Sequence, residues 1–218
     1  MLTYLLYICH NLNMRFHSPL DDICSSKVKI RLLRFLSRTG GSLTGRQLAG
    51  FVGYSHTHTI WALNELEAHG LVKKRRAGNS YLFSINEENT IVSRVLVPAF
   101  QVEANLLDDL AERFFEGLGN DLIDVIVFGS VARGEEDDDS DIDLLLVVRD
   151  GADVEDLEDM IDRISIDAAR EFGCSVMPIV ASQSDYRRKI RQKRGFWKDI
   201  PKEGIAIGVR GRQGAAVG

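Results

Sequence analysis

Cysteine and proline are scarce in this sequence, and each shortage excludes a class of protein. Only 3 of the 218 residues are cysteines, and Cys9, Cys24 and Cys174 are scattered without a CxxC pair. An odd and dispersed set is typical neither of a disulfide framework nor of a zinc site, and it fits a reducing cytoplasm. With 4 prolines and a hydrophobic fraction of 44%, the composition indicates a globular chain and excludes a disordered or repeat protein.

Long apolar runs are also missing. The apolar opening, residues 1–8, is far shorter than the ~20 residues of a membrane span, and no basic leader precedes it. We therefore expect a cytoplasmic protein without membrane association. Met14 would serve equally well as a start, so residues 1–24 are interpreted as an N-terminal extension, and residues 1–13 are assigned no function.

The net charge of −5 hides two parts of opposite sign. Residues 1–92 hold 11 Lys and Arg against 6 Asp and Glu, a net of +5. Residues 93–218 hold 16 against 26, a net of −10. This asymmetry predicts a polyanionic partner for the first part and a cationic partner, such as a metal ion, for the second.

In the basic part, apolar spacing and capping residues predict three helices followed by a hairpin. Residues 28–37 form a helix that glycines end, residues 45–53 form a short helix, and residues 56–69 form a third. The segments 71–76 and 80–85 are predicted strands around an Ala-Gly-Asn turn. Helix, short helix, helix and hairpin is the element order of a winged helix-turn-helix.

The stretch from residue 44 to 86 resembles the winged-helix domains of bacterial transcriptional repressors, above all in its LxxLExxGLV pattern before the wing. The resemblance implies a domain over residues 25–92 that binds double-stranded DNA, although winged helices also serve as protein-interaction modules. Regulators of this kind often dimerise, so a homodimer is a further expectation. Short polar side chains at the start of the third helix and basic ones on the wing suit contacts with bases and phosphates. The predicted DNA-binding residues are Ser55, His56, Thr57, His58, Asn64, Lys73, Lys74, Arg75 and Arg76.

The acidic part alternates strands and helices, which predicts an α/β (α+β) domain with a mixed sheet over residues 119–200. A linker helix over residues 93–118 precedes it, and a C-terminal strand and flexible tail over residues 201–218 follow. Predicted strands are residues 122–128, 141–148 and 174–180. Because Pro178 cannot donate a ladder hydrogen bond, the last of these is expected either to lie at an edge of the sheet or to end at this proline.

Two motifs in this part carry the chemistry. Asp141 and Asp143 are two residues apart in a predicted strand, so their carboxylates project from one face. Such a pair repels itself unless a divalent cation is bound, and Mg²⁺ or Mn²⁺ holding phosphates fits these oxygen ligands. Gly129 and Ser130 lie where a buried strand turns into a helix, and glycine lets a phosphate approach the backbone closely.

Together, FGSVARG and SDIDLLLV resemble the signature of the minimal nucleotidyltransferases of the DNA polymerase β superfamily, over residues 118–200. The resemblance implies a nucleoside triphosphate substrate, with ATP expected, and transfer of a nucleoside monophosphate to a hydroxyl of a protein, small molecule or nucleic-acid end. Asp141 and Asp143 would be the catalytic metal ligands. The nucleotide-binding residues implied are Gly129, Ser130, Arg133 and Ser140.

One departure from this family divides the hypotheses. The efficient members of the family supply a third carboxylate from a later strand, at the position where this chain has Met177. Glu171 or Asp185 could substitute only if the backbone places one of them beside the aspartate pair. The first hypothesis is an enzyme coupled to a DNA-binding winged helix, with a toxin–antitoxin or autoregulatory role. The second is a non-catalytic, nucleotide-sensing transcriptional regulator, and a protein-interaction scaffold is a third. A basic cluster at residues 187–194, beside Phe196 and Trp197, is either a solvated helix face or a contact for a triphosphate or a polyanionic acceptor.

Overall fold

The computed structural model describes residues 17–208, and the chain divides into two compact units, Met1–Glu103 and Ala104–Gly218. The division falls within one long helix, so each unit is described by itself. The alternative start at Met14 and the tail beyond residue 208 lie outside the described residues.

The first unit has the winged-helix order that the sequence predicts. Its three strands form an antiparallel sheet in the order β1-β3-β2. The elements are α1 (Pro19–Cys24), α2 (Lys27–Thr39), β1 (Leu43–Thr44), α3 (Gly45–Val52), α4 (His56–Ala68), β2 (Val72–Ala77) and β3 (Ser80–Ile85).

Local capping fixes the turn between α3 and α4. Thr44 begins α3 with a capping box, in which its side chain accepts from the Gln47 backbone and the Gln47 side chain accepts in return. Gly53 ends α3 in the left-handed conformation with φ 74°, and Ser55 starts α4 by accepting a hydrogen bond from the His58 backbone. Because these signals are local, the sequence predicts both helices well.

A buried lysine joins three helices of this unit. Lys29 is only 6% exposed, and its Nζ donates to the Asp22 carbonyl of α1 at 2.9 Å and pairs with Glu65 Oε2 of α4 at 2.8 Å. Residues 19–24, which the sequence assigned to an extension, thus form α1, and its Ile23 belongs to the apolar core.

The long helix that links the two parts is close to its prediction of residues 93–118. A π-helical turn, Val92–Leu96, leads into α5, Val97–Leu118. The irregular turn ends at Leu96, two residues before Pro98, whose nitrogen cannot donate the hydrogen bond of a regular helix.

The second unit is a mixed four-stranded sheet in the order β6-β5-β4-β7. Only β5 and β6 run parallel, and β6 lies at the edge that Pro178 predicts. The elements after α5 are β4 (Leu122–Phe128), α6 (Gly129–Arg133), β5 (Ile142–Val148), α7 (Val154–Phe172), β6 (Val176–Ser182), α8 (Gln183–Gln192), α9 (Ile200–Glu203) and β7 (Ile205–Ile207), with 3₁₀ turns at Gly119–Asp121 and Gly195–Lys198.

Both faces of this sheet are covered, which explains the almost wholly apolar β5. One face packs with α5 and α7 in a core that includes Phe114 and Ile161. The opposite face carries Leu145 and Val147 and is covered by residues from α8 to α9, Ile200 among them. Side chains alternate along a strand, so Asp143 shares this second face with Leu145. In the described part of the chain, no helix combines the length and apolar character that crossing a membrane requires.

Candidate functional site

The two aspartates of the SDID motif lie at the start of β5. Asp141 is exposed and directly precedes the strand, and Asp143 is partly buried. Asp143 is paired in register with Phe128, the last residue of β4, and with Met177 of β6. A transverse row, Phe128–Asp143–Met177, therefore crosses three strands on one face, and the carboxylate is its only polar member.

The backbone of Gly129 lies close to the side chain of Asp143. Its φ is +74°, and a Cβ added there would lie 2.2 Å from Asp143 Oδ2. A side chain at residue 129 would thus displace the carboxylate as well as strain the backbone. The structure thus brings Gly129 against Asp143, and Ser130 follows Gly129 in the single helical turn α6.

Burial and the neighbouring acid both act on Asp143. Burial, and after it the charge of Asp141, raises the pKa of the Asp143 carboxyl above 3.8, while the Arg133 guanidinium opposes this. A bound cation would favour the ionised form of Asp143 and so oppose both effects. A site that offers a small number of protein oxygens and leaves other coordination positions open suits Mg²⁺, because this ion keeps several waters and binds phosphates.

Arg133 is held by two carboxylates. Its guanidinium pairs with Glu135 at 2.7 Å and with Glu203 of α9 at 3.3 Å. These hydrogen bonds raise the pKa of Arg133. In the structure, Arg133 links α6 to α9. A nucleotide that bound Arg133, as the sequence predicts, would have to share the guanidinium with Glu135 and Glu203.

Ser140 is engaged within its own loop. Its hydroxyl accepts from the Asp137 backbone at 2.9 Å and donates to Asp137 Oδ1 at 2.8 Å. In the structure, Ser140 thus stabilises the acidic loop before Asp141. The predicted contact of Ser140 with a nucleotide would require these hydrogen bonds to rearrange.

Neither candidate for a third carboxylate stands beside the pair. Glu171 forms a double hydrogen bond with Arg113, at 3.0 and 2.6 Å, and Asp185 pairs with Arg188 at 2.6 Å. Among residues 17–208, no group of three or more His, Cys, Asp or Glu is arranged to hold a metal. The β6 residue beside Asp143 is Met177, which is 53% exposed.

The side chains predicted to contact DNA lie on the exposed parts of α4 and the wing. His56, Thr57, His58 and Asn64 are exposed, whereas the Ser55 hydroxyl caps α4.

Three of the four basic wing residues have partners within the same unit. Lys74 donates to Asn64 at 2.8 Å, Lys73 pairs with Glu88 at 2.7 Å, and Arg76 donates to the Gly78 carbonyl at 3.3 Å. Arg75 is exposed on β2.

Sequence reasoning placed Trp61 on the outer face of the third helix, and it missed Glu203 and the contact of Phe196 with Phe128. Trp61 is 54% exposed on α4, as its position between Thr57 and Asn64 on the helix predicts. Glu203 lies 70 residues from Arg133, and no local signal in the sequence predicts such a pair.

Comparisons with known proteins agree with the motifs. Residues 107–197 match the family model described as the nucleotidyltransferase domain. A candidate protein adenylyltransferase of Methanocaldococcus jannaschii is 30% identical over 86 residues, which are 39% of this chain and 58% of that protein. The chain therefore spans less than two thirds of the length of this relative.

Solved structures show partial likenesses. A candidate nucleotidyltransferase from Sulfolobus solfataricus is 25% identical with a TM-score of 0.31, over 48% of this chain and 83% of that one. The antimony-specific repressor AntR is 24% identical with a TM-score of 0.35, over 43% and 78%. A homodimeric winged helix-turn-helix domain from Mycobacterium bovis is 20% identical with a TM-score of 0.32, over 43% and 90%. By the family match, residues 107–197 carry a nucleotidyltransferase domain, and the resemblance predicted from FGSVARG and SDIDLLLV is confirmed.

Proposed function

We propose that the second unit transfers a nucleoside monophosphate from a nucleoside triphosphate, ATP in the first instance, to a hydroxyl acceptor. The observation that carries the proposal is the approach of the Gly129 backbone to the Asp143 carboxylate, next to Asp141. It joins a close-approach turn for phosphates to a pair of carboxylates, the two parts that a metal–triphosphate complex requires.

Asp141 and Asp143 would hold Mg²⁺ or Mn²⁺, which supplies charge neutralisation to the phosphates when bound. Gly129 and Ser130 would position the phosphates beside these carboxylates. Their rigidity favours transfer, because holding reactants in line accounts for much of the rate of phosphoryl-type reactions. Arg133 orients α6 through Glu135 and Glu203.

Met177 favours a second candidate function. Since no carboxylate stands at this position beside Asp143, the proton of an acceptor hydroxyl has no positioned base there, and losing such a base typically slows transfer roughly 10²- to 10⁴-fold. The alternative is a nucleotide sensor that binds the metal–triphosphate complex without turnover and signals to the winged helix.

Label transfer distinguishes the two candidates. The full chain is incubated with each α-³²P-labelled nucleoside triphosphate, Mg²⁺ or Mn²⁺ and cell lysate. Transfer that Asp141→Ala or Asp143→Ala abolishes, and that Asp139→Ala in the neighbouring exposed loop leaves intact, supports the enzyme. Binding of the triphosphate without transfer supports the sensor, and absence of both overturns the proposal.

For the first unit we propose binding to double-stranded DNA upstream of its own gene, as a homodimer acting in the cytoplasm in an autoregulatory or toxin–antitoxin role. The support is the exposed polar start of α4 beside the basic β2. Gel retardation with that DNA, weakening steeply as salt rises, is the expected result. No retardation at low salt would contradict it and favour a protein-interaction role.

A further inference from the structure

A stacked pair of aromatic rings, with a third ring tilted against it, begins beside Asp143. The rings of Phe128 and Phe196 lie 5.2 Å apart at an interplanar angle of 14°, and the ring of Trp197 follows at 4.5 Å from that of Phe196. Phe128 immediately precedes Gly129, so this stack adjoins the glycine-serine turn. An aromatic surface therefore borders the region where the phosphates are proposed to bind.

Phe128 and Trp197 are anchored, and the ring of Phe196 is accessible. Trp197 and Phe128 pack against the core that contains Leu145 and Ile200, and Lys189 Nζ lies 4.7 Å from the Trp197 ring centroid. Phe196 keeps 36% of its surface exposed. The anchored neighbours hold the exposed ring in place, as a preformed binding surface requires.

The register of the sheet sets how near this surface is to the acids. Residues directly opposite in antiparallel strands have Cβ atoms about 4.5–5.5 Å apart, and Phe128 is opposite Asp143. A triphosphate that a divalent cation on Asp143 would hold thus has an aromatic wall within the length of a nucleotide. The aromatic wall is a flat, apolar surface, whereas the glycine-serine turn and the carboxylates are polar.

We propose that the Phe128–Phe196 pair is the wall against which the base of the nucleotide packs. This inference rests on the proposed function and extends it to the base. Packing against aromatic rings is tolerant of base identity, because every base offers a π face and the wall makes no hydrogen bond to a base edge. All four nucleoside triphosphates are therefore expected to bind, and each more tightly than inorganic tripolyphosphate.

The test compares ligands with and without a base on the full chain. Calorimetric titrations use Mg·ATP, Mg·CTP and Mg·tripolyphosphate. Phe196→Ala is expected to weaken both nucleotides roughly 5- to 100-fold and to leave tripolyphosphate unchanged. Phe51→Ala is the matched control, because Phe51 is also exposed and stacked, on Phe35, but belongs to the other unit.

Phe196→Leu, with thermal melting of each variant, covers the case in which Phe196→Ala does not fold. Leucine keeps most of the apolar volume and removes the flat ring, so weaker nucleotide binding with an intact fold is expected. Wild-type binding of nucleotide no tighter than tripolyphosphate, or equal losses for both ligands, overturns the aromatic wall alone. A wild-type chain that binds neither ligand overturns the proposed function instead.

Discussion

Gly129 and Asp143 constrain each other at the scale of single residues. The positive φ of Gly129 and the position of Asp143 Oδ2 leave no room for a Cβ. Gly134 closes the same helical turn with φ +66°, yet nothing lies within 4 Å of a Cβ added there. The two glycines therefore share a left-handed backbone that would strain any residue with a Cβ, but they differ in what a side chain would meet.

Gly129→Ala is expected to cost about 1–3 kcal/mol of unfolding free energy and to weaken Mg·ATP binding, because the new methyl group must push Asp143 aside. Gly134→Ala is the matched control and should cost backbone strain alone, about 1–2 kcal/mol, with nucleotide binding unchanged. Urea unfolding and calorimetric titration measure both. Equal nucleotide affinity in the two variants would contradict the contact.

The ionisation of Asp143 predicts a dependence on pH. Its folded-state pKa is raised above 3.8 by burial and by Asp141, so the folded state binds the proton more tightly than the unfolded state. The resulting contribution to stability is complete below the unfolded pKa and is lost as pH rises through the folded pKa.

Asp143→Asn should therefore melt higher than the wild type at pH 7 without metal, and this difference should disappear as the pH falls and the Asp143 carboxyl becomes protonated. Mg·ATP should stabilise the wild type and not the variant. Thermal melts from pH 3 to pH 7 in chelator, then with Mg·ATP, test this. Asp139→Asn, in the exposed loop, is the control. A variant that melts below the wild type at pH 7 without metal would refute the argument.

At the scale of elements, the parallel pairing of β5 and β6 decides which side chain stands beside the acids. Its register places Met177 against Asp143 and Ile179 against Leu145. Both β6 side chains are accessible, at 53% and 36% exposure, so both can be replaced by a polar residue without burying a charge.

Met177→Asp is expected to raise label transfer roughly 10²- to 10⁴-fold, because it places a third carboxylate beside the metal ligands, where it can accept the acceptor's proton. Ile179→Asp, two residues further along the same face, should give no increase. Initial rates with saturating Mg·ATP compare the variants. Equal rates in Met177→Asp and the wild type would show that this position does not limit transfer.

The sequence predicted most elements of both units. Ser55 and Gly53 mark helix ends through hydrogen bonds and backbone angles of their own neighbourhood, and such local signals can be read without a fold. The edge position of β6 followed from one proline. The sequence predicted neither the π turn before α5 nor the helix α1. In α1, Ile23 is buried in the core of the first unit, and this burial is a tertiary effect that local patterns do not show.

At the scale of the whole molecule, the basic part and the acidic part have different ligands in the proposed function. The wing, the hairpin of β2 and β3, is the part whose basic side chains would contact DNA phosphates. These side chains differ in how far acidic neighbours already offset their charge. Lys73 is paired with Glu88, whereas Arg75 is exposed on the same strand.

Arg75→Ala should weaken DNA binding and lower the slope of log affinity against log salt concentration by about 0.9, the value for one lost phosphate contact. Lys73→Ala should have a smaller effect, because Glu88 already offsets the charge of Lys73. Fluorescence anisotropy between 50 and 200 mM salt measures both slopes. An unchanged slope in Arg75→Ala would remove Arg75 from the interface.

By itself, the sequence determined the order of most elements, the two-residue spacing of Asp141 and Asp143, and the nucleotidyltransferase motifs. These depend on spacing along the chain, because alternation, capping and glycine angles act over a few residues. Only the tertiary structure decided that Met177 stands beside Asp143, that Glu203 holds Arg133, and that Phe196 stacks on Phe128. Strand register and long-range packing join residues far apart in the chain, and local patterns do not specify them.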